Sequence, residues 1–284
     1  MRASSIVLVI AVLLLLAAIA TCPAQDEKPW THPGTKAGDE ITGPDGGKMV
    51  WVPAGEFDMG STDGNPEESP VHHVRITRGF WLGQCTVTNA QYQGYCQGTG
   101  AQFPKESDQG PSHPVLFAAW GDARAYCDHY GMALPTEAQW EYAARGPGAS
   151  KYPWGDEWDP KRLCWGGNKG PGGKTFPVGS FPGGASWCGA LDMAGNVCQW
   201  CSDWYDSGYY AHSDPVDPRG PDRGEDITLR PEGRPPVHLG ACRVIRGNFW
   251  GDADAADFYC AMRVNLSDPE GGDALTGFRC AYTP

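Results

Sequence analysis

The stretch Arg243-Val-Ile-Arg-Gly-Asn-Phe-Trp250, carried on through Cys260-Ala-Met-Arg263 to Gly277-Phe-Arg-Cys280, decides how this chain is read. Between its first two parts lies Gly251-Asp-Ala-Asp-Ala-Ala-Asp-Phe-Tyr259, an acidic and aromatic interval without a cysteine. Its carboxylates Asp252, Asp254 and Asp257 allow two readings. They form a solvated loop, or they belong to a pocket between Phe249 and Arg263, with Trp250, that faces a ligand carrying positive charge.

The chain around this stretch is built for export. Arg2 gives a short basic start, and Ile6 to Ala20 is apolar over about 15 residues, too few to span a bilayer. Residues 1–24 therefore read as a secretory signal cleaved after Ala24. The alternative is a lipoprotein signal that places lipid on Cys22, for which Thr21 is a poor preceding residue. The expected destination is secreted or periplasmic, with lipid anchoring at Cys22 the lesser alternative and no membrane span in the mature chain.

Residues 25–47 are polar and rich in Gly, Pro and charge, and read as a mobile leader. Residues 48–284 then form one domain, with ample aromatic material for a core: the chain has 12 Trp, 11 Tyr and 9 Phe. A net charge of −12 excludes a nucleic-acid partner, which would need a basic face. Beyond Cys22 the cysteines number ten, and an even count in an exported chain reads first as disulfides. Cys198-Gln-Trp-Cys201 is the one tight pair. It lies in a predicted strand from Gly195 to Trp204, where positions three apart face opposite sides, which argues against a metal or redox role.

Local signals place the elements. Met49 to Pro53 and Glu56 to Met59 flank an Ala54-Gly55 turn as a strand pair, and His73 to Thr77 alternates like a half-buried strand. Thr88-Asn-Ala-Gln91 and Thr136-Glu-Ala-Gln139 are capping boxes that each open a helix. The first puts Tyr92, Tyr95 and Cys96 on one face and stops at Gly98, and the second runs to about Arg145. A third helix is predicted over Ala118 to Tyr130. Past Gly146 the apolar runs are short and broken by Gly and Pro. Residues 206–240 show no apolar period and read as a long surface excursion. His72 and His73 stand at a strand start without a third ligand, so structural roles are expected.

Taken in order, these segments resemble the formylglycine-generating (sulfatase-modifying factor) family. Val52-Pro-Ala-Gly-Glu56, Met59-Gly-Ser61, Glu68-Ser-Pro70 with His73-Val74, and Val87-Thr-Asn-Ala-Gln-Tyr92 follow its opening motifs. Leu134-Pro-Thr-Glu-Ala-Gln-Trp-Glu-Tyr142, Tyr152-Pro-Trp-Gly155, Gly189-Ala-Leu-Asp-Met-Ala-Gly-Asn196 and the C-terminal stretch continue them. The resemblance covers about Met49 to Thr283. It implies an α+β, C-type-lectin-like fold with little regular structure and long loops.

The resemblance also implies chemistry, and here the chain departs from it. The family's oxidase binds copper(I) through two thiolates lying between its RGGS-like and CAxR-like segments. Those positions fall near Asp252 and Asp257, so no catalytic residue is assigned and copper is not expected. Cys127 and Cys280 match two positions the family joins by a disulfide. Cys260 matches a position whose usual partner falls at Ala144. A family calcium site maps to the Asp192 side chain, the main-chain oxygens of Gly195 and Val197, and the Gln199 side chain, where the pattern has Glu. Calcium is the implied cofactor.

Two functions follow. The first is an exported, non-oxidase binding module for an unidentified ligand or protein. The alternative is a formylglycine-generating oxidase, or another metal-dependent oxidoreductase on the same fold, converting a substrate cysteine in sulfatases.

Overall fold

Caps set the three helices of the computed structural model, which describes residues 28–104, 109–230, 233, 235–264 and 268–284. The expected signal segment, with Cys22, lies outside the described residues. At α1 (Asn89–Thr99), the Thr88 hydroxyl accepts from the Gln91 amide at 3.2 Å, and Gln91 Oε1 accepts from the Thr88 amide at 3.0 Å. Tyr92, Tyr95 and Cys96 are buried on one face, as expected. The helix runs past Gly98 and ends at Gly100, whose φ of 79° supplies the left-handed turn. α2 is Trp120–His129, and α3 (Glu137–Arg145) opens on the Thr136–Gln139 box.

The strands form four small sheets. β1 (Glu40–Thr42), β2 (Lys48–Val52), β5 (Phe80–Gly83) and β11 (Ala281–Tyr282) make an antiparallel sheet in the order β1-β2-β5-β11. β3 (Gly55–Met59) pairs only with β4 (His72–Ile76). The two runs flanking Ala54-Gly55 are thus not a hairpin, because the chain passes from one sheet to the next at that turn. β6 (Cys198–Trp204) is the middle of a third sheet, antiparallel to β9 (Arg243–Arg246) and parallel to β10 (Thr276–Gly277).

β6 also divides the core. Cys198 and Trp200 pack with α1, α2 and Phe278, while Cys201 packs with α3, Tyr205 and Val244. The two cysteines therefore face different clusters, as their spacing requires. Trp140 and Trp200 are fully buried, each with its indole N–H satisfied, on Gln199 Oε1 at 2.8 Å and Ala118 O at 3.0 Å. Burying side chains of this size stabilises the fold by about 1.5–3 kcal/mol each.

Two boundary expectations are corrected. The leader joins the fold from residue 28 onward: β1 pairs with β2, and the Trp81 indole donates to His32 O at 2.8 Å. Its polar composition hides this, because only isolated apolar side chains, Trp30, Ala37 and Ile41, pack against the core beside the backbone pairing. The excursion over residues 206–240 is also partly fastened down. Tyr209 and Tyr210 are buried in a 3₁₀ turn, and β7 (Asp226–Leu229) pairs with β8 (Val237–Ala241). The Asp217 carboxylate accepts from the Thr77 amide at 2.8 Å. Such anchors are scattered in sequence and leave no period to read.

Candidate functional site

The stretch that opened the sequence reading is clamped at both ends by one residue of α3. Glu137 accepts from Arg246 at 2.8 Å, where the stretch leaves β9, and from Arg263 Nε at 2.7 Å, where it returns. The Tyr210 hydroxyl adds a third donor at 3.2 Å. Burial alone would raise the Glu137 carboxyl. Arg263 and Arg246 outweigh it and hold the group below its ordinary range. Glu141, one turn along α3, takes Arg246 on its other side and also Arg145 at 2.9 Å.

Between the clamps the backbone turns through left-handed conformations. Gly247 has φ 89°, and a Cβ there would stand 3.1 Å from the Met193 carbonyl and from the Trp140 ring. Asn248 follows at φ 53°, a conformation asparagine tolerates better than most residues. Phe249 to Asp252 then close on themselves: the Phe249 amide donates to the Asp252 carboxylate, and the Asp252 amide donates to the Phe249 carbonyl, both at 3.2 Å. A 3₁₀ turn over Ala255–Phe258 follows, with Asp254 as its cap, accepting from the Ala256 amide at 3.0 Å. Buried Phe258 anchors this turn in a small cluster with Tyr152, Leu163 and Ala194.

A cavity of about 280 Å³ opens beside this loop. Phe249, Asp252, Asp257 and Arg263 line it, so four of the six expected pocket residues come together. Trp250 and Asp254 do not line it. Trp250 lies under the Lys169 ammonium, 5.4 Å from its ring centroid, and Asp254 is spent on the turn. Arg263 is a wall and not a free cation. It is 3 % exposed, and its donors go to Glu137 and to the carbonyls of Glu67 and Asp206.

The remaining lining was not read from the sequence. Asn65 and Glu67 come from the segment before β4, Cys198 and Ile245 from β6 and β9, and Asn248, Met262, Val264 and Leu275 complete it. Asn248 lies in the opening stretch, where nothing marks it as lining a cavity. Cys198 stands in the sequence as half of a CxxC. Asn65 and Glu67 are far away in sequence and carried no signal.

The electrostatics are acidic. Burial, offset in part by the Phe249 amide and aided by Asp257, pushes the Asp252 carboxyl up to about 6. Burial, then the charges of Asp252 and Asp273, push the Cys198 thiol well above its ordinary range, so it stays protonated at neutral pH. A soft copper(I) ion asks for two thiolates. This cavity presents one thiol, the Met262 thioether and carboxylates, so the thiolate pair is missing and the residues do not fit that ion.

The expected calcium ligands do not fit either. Gln199 Oε1 already accepts from Trp140 at 2.8 Å and from Arg279 at 2.7 Å, while its amide donates to Asp192 O at 2.7 Å. The Asp192 carboxylate accepts from the Gly179 amide at 2.7 Å. Buried Arg279 also donates to the carbonyls of Gly83, Gln84, Leu191 and Asp192. A guanidinium sits against these oxygens, and a second cation beside it is disfavoured. The main-chain oxygens of Gly195 and Val197 alone are no calcium site.

Elsewhere, Cys127 and Cys280 bring their sulfurs to 3.1 Å. Cys260 is a buried free thiol packed in the same cluster as Ala144. His73 is exposed and pairs with Asp58 at 3.0 Å and Glu56 at 3.3 Å across the β3–β4 pair, and these bonds raise its pKa. His72 packs edge-on against Tyr210.

Comparison with known proteins places this architecture. Residues 37–284 match the family model described as a sulfatase-modifying factor enzyme 1-like domain. The chain is 34% identical over 300 residues to a formylglycine-generating enzyme of Streptomyces coelicolor, covering 82% of this chain and 88% of that one. It is 31% identical over 258 residues to the serine/threonine-protein kinase Pkn1 of Chlamydia trachomatis, covering 82% of this chain but 38% of the kinase. Among solved structures, PvdO from Pseudomonas aeruginosa superimposes with a TM-score of 0.70 at 25% identity, over 88% of this chain and 100% of that one.

Proposed function

The chain belongs to the sulfatase-modifying factor enzyme 1-like family, with its α+β, C-type-lectin-like fold, and from that premise we propose that it is an exported recognition module and not an oxidase. One observation carries this reading: the cavity beside the loop that Arg246 and Arg263 clamp is walled by Asp252 and Asp257, and it holds a single buried thiol, Cys198. Thiolate-bound copper chemistry has no donor pair there. The clamp on Glu137 fixes both ends of the loop, which gives the cavity the pre-formed walls a binding site needs. The similarity to a chlamydial kinase, of which this domain spans only part, supports a role for the fold outside cysteine oxidation.

Oxygen consumption by the purified mature chain, supplied with copper and a sulfatase-motif peptide, tests the proposal. No uptake and unmodified peptide are expected. Peptide turnover coupled to oxygen uptake overturns the recognition reading in favour of the oxidase.

A further inference from the structure

A second cavity, of about 590 Å³, shares no lining residue with the acidic one. We infer that it binds a small organic anion, an oxyanion headgroup on an apolar body, through Arg78 and Arg219. Both arginines line it, one from the turn after β4 and the other from the excursion over residues 206–240. Neither side chain has an ion pair, hydrogen bond or ring contact among the described residues. Acids outnumber bases 34 to 22 in this chain, yet the fold brings two guanidinium groups to one cavity and gives neither a carboxylate.

Backbone pairing fixes the walls that carry them. Residues 215–217 run parallel to β4: the Arg75 amide donates to the Pro215 carbonyl at 2.8 Å, and the Asp217 amide donates to the Arg75 carbonyl at 2.9 Å. The Asp217 carboxylate then accepts from the Thr77 amide and hydroxyl. Residues 131–134, another part of the lining, are tied to β11, where Ala133 and Ala281 exchange two backbone bonds at 2.9 and 2.7 Å. Walls held in this way need little ordering when a ligand enters.

The polar lining has donors to offer, and its acceptors are occupied. Both Asp217 oxygens are taken by Thr77. The Thr136 hydroxyl accepts from the Gln139 amide at 3.1 Å, and Gln139 Oε1 accepts from the Thr136 amide at 3.0 Å. The side-chain NH2 of Gln139 is left without a partner among the described residues. Two guanidinium groups against one carboxylate leave the lining positive, and each guanidinium fork matches a carboxylate or phosphate group with two parallel hydrogen bonds.

The apolar lining and the overall charge set the kind of anion. Buried Ile76, Met132 and Leu134 give an alkyl or aryl body a surface to cover. A net charge of −12 repels an extended polyanion, whereas a small ligand meets only the local field. At about 30 Å³ for each water-sized group, a cavity of about 590 Å³ admits roughly twenty non-hydrogen atoms.

Calorimetric titration at pH 7.5 and low ionic strength tests this with 1-naphthoate, 1-naphthyl phosphate and the neutral 1-naphthamide. At least one anion is expected to bind about tenfold or more tightly than the amide, and the tighter of the two identifies the headgroup. Arg78 and Arg219 are exposed, so Arg78→Gln and Arg219→Gln should fold. Each is expected to weaken that anion about fivefold, and the two together to erase its preference over the amide. Asp217→Asn keeps an acceptor for the Thr77 amide and suits the φ of 45° at that position. Because it removes the one carboxylate of the lining, it is expected to tighten the anion about threefold, a gain that a merely structural role would not produce. Melting curves establish that the variants are folded. Anion affinity no greater than that of the amide overturns the assignment, and so does a preference that survives the double arginine variant. Weaker anion binding by folded Asp217→Asn, or no anion binding by the wild-type chain, overturns it as well. None of these results touches the oxygen-consumption test, on which the recognition reading stands or falls separately.

Discussion

Replacing Glu137 with Gln should destabilise this protein far more than losing any surface ion pair. Glu137 is 2 % exposed and is the shared acceptor of Arg246, Arg263 and Tyr210. Glutamine fits the space but removes the charge, which leaves buried Arg263 without its carboxylate and Arg246 with Glu141 alone. Breaking a buried pair from one side costs about 3–5 kcal/mol. For a domain of this size that is a fall in melting temperature of roughly 6–20 °C. The pH dependence gives a second check. The folded-state pKa of Glu137 lies below its unfolded value, so its contribution is full above the unfolded pKa and is lost as pH falls through the folded one. The deficit of Glu137→Gln should therefore be largest at neutral pH and shrink in acid. Glu40→Gln is the control, since Glu40 pairs with Lys48 in solvent at 3.0 Å and should melt with the wild type. Differential scanning calorimetry from pH 7 to pH 3 reads all of this. A Glu137→Gln melting point within error of Glu40→Gln, or a deficit that does not shrink in acid, refutes the clamp.

Three further outcomes are expected. Asp252 is held above its unfolded pKa, so its ionisation opposes folding: Asp252→Asn should stabilise the chain above pH 6, with the gain vanishing below about pH 4. Melting curves across that window check the sign, and destabilisation at pH 7.5 contradicts it. Cys198 should resist iodoacetamide in the folded chain at pH 7.5 and react once the chain is unfolded, as followed by peptide mass spectrometry, because burial keeps its thiol protonated. Cys127 and Cys280, with sulfurs 3.1 Å apart, should be recovered as one linked peptide from a non-reducing digest of exported protein. Alkylation of both without reductant contradicts that bond.

The parts of this molecule that were legible in its sequence are those specified locally. The Thr88 and Thr136 capping boxes act over three residues, and both helices start where those residues say. The alternation that splits Cys198 from Cys201 is likewise a property of one strand. The acidic loop was readable as part of a pocket because Phe249, Asp252, Asp257 and Arg263 are close in the chain, and all four line the cavity. What could not be read depends on distant partners. Nothing near Gln199 reveals that Arg279 and Trp140 would occupy the side-chain oxygen assigned to calcium. Arg263 reads as one end of the pocket, and only the fold shows Glu137, on another element, claiming its guanidinium. Asn248 looks like a turn residue in sequence, and only three-dimensional packing shows that its oxygen is left without a donor.

The central claim, recognition in place of oxidation, meets its most direct test in a copper(I) titration of the mature chain under anaerobic conditions against a competing chelator. With one protonated cavity thiol where the chemistry needs a thiolate pair, the chelator should keep the copper, and the chain should retain none. Retention of one copper per chain, lost on Cys198→Ser and followed by oxygen uptake when a sulfatase-motif peptide is added, would contradict the account.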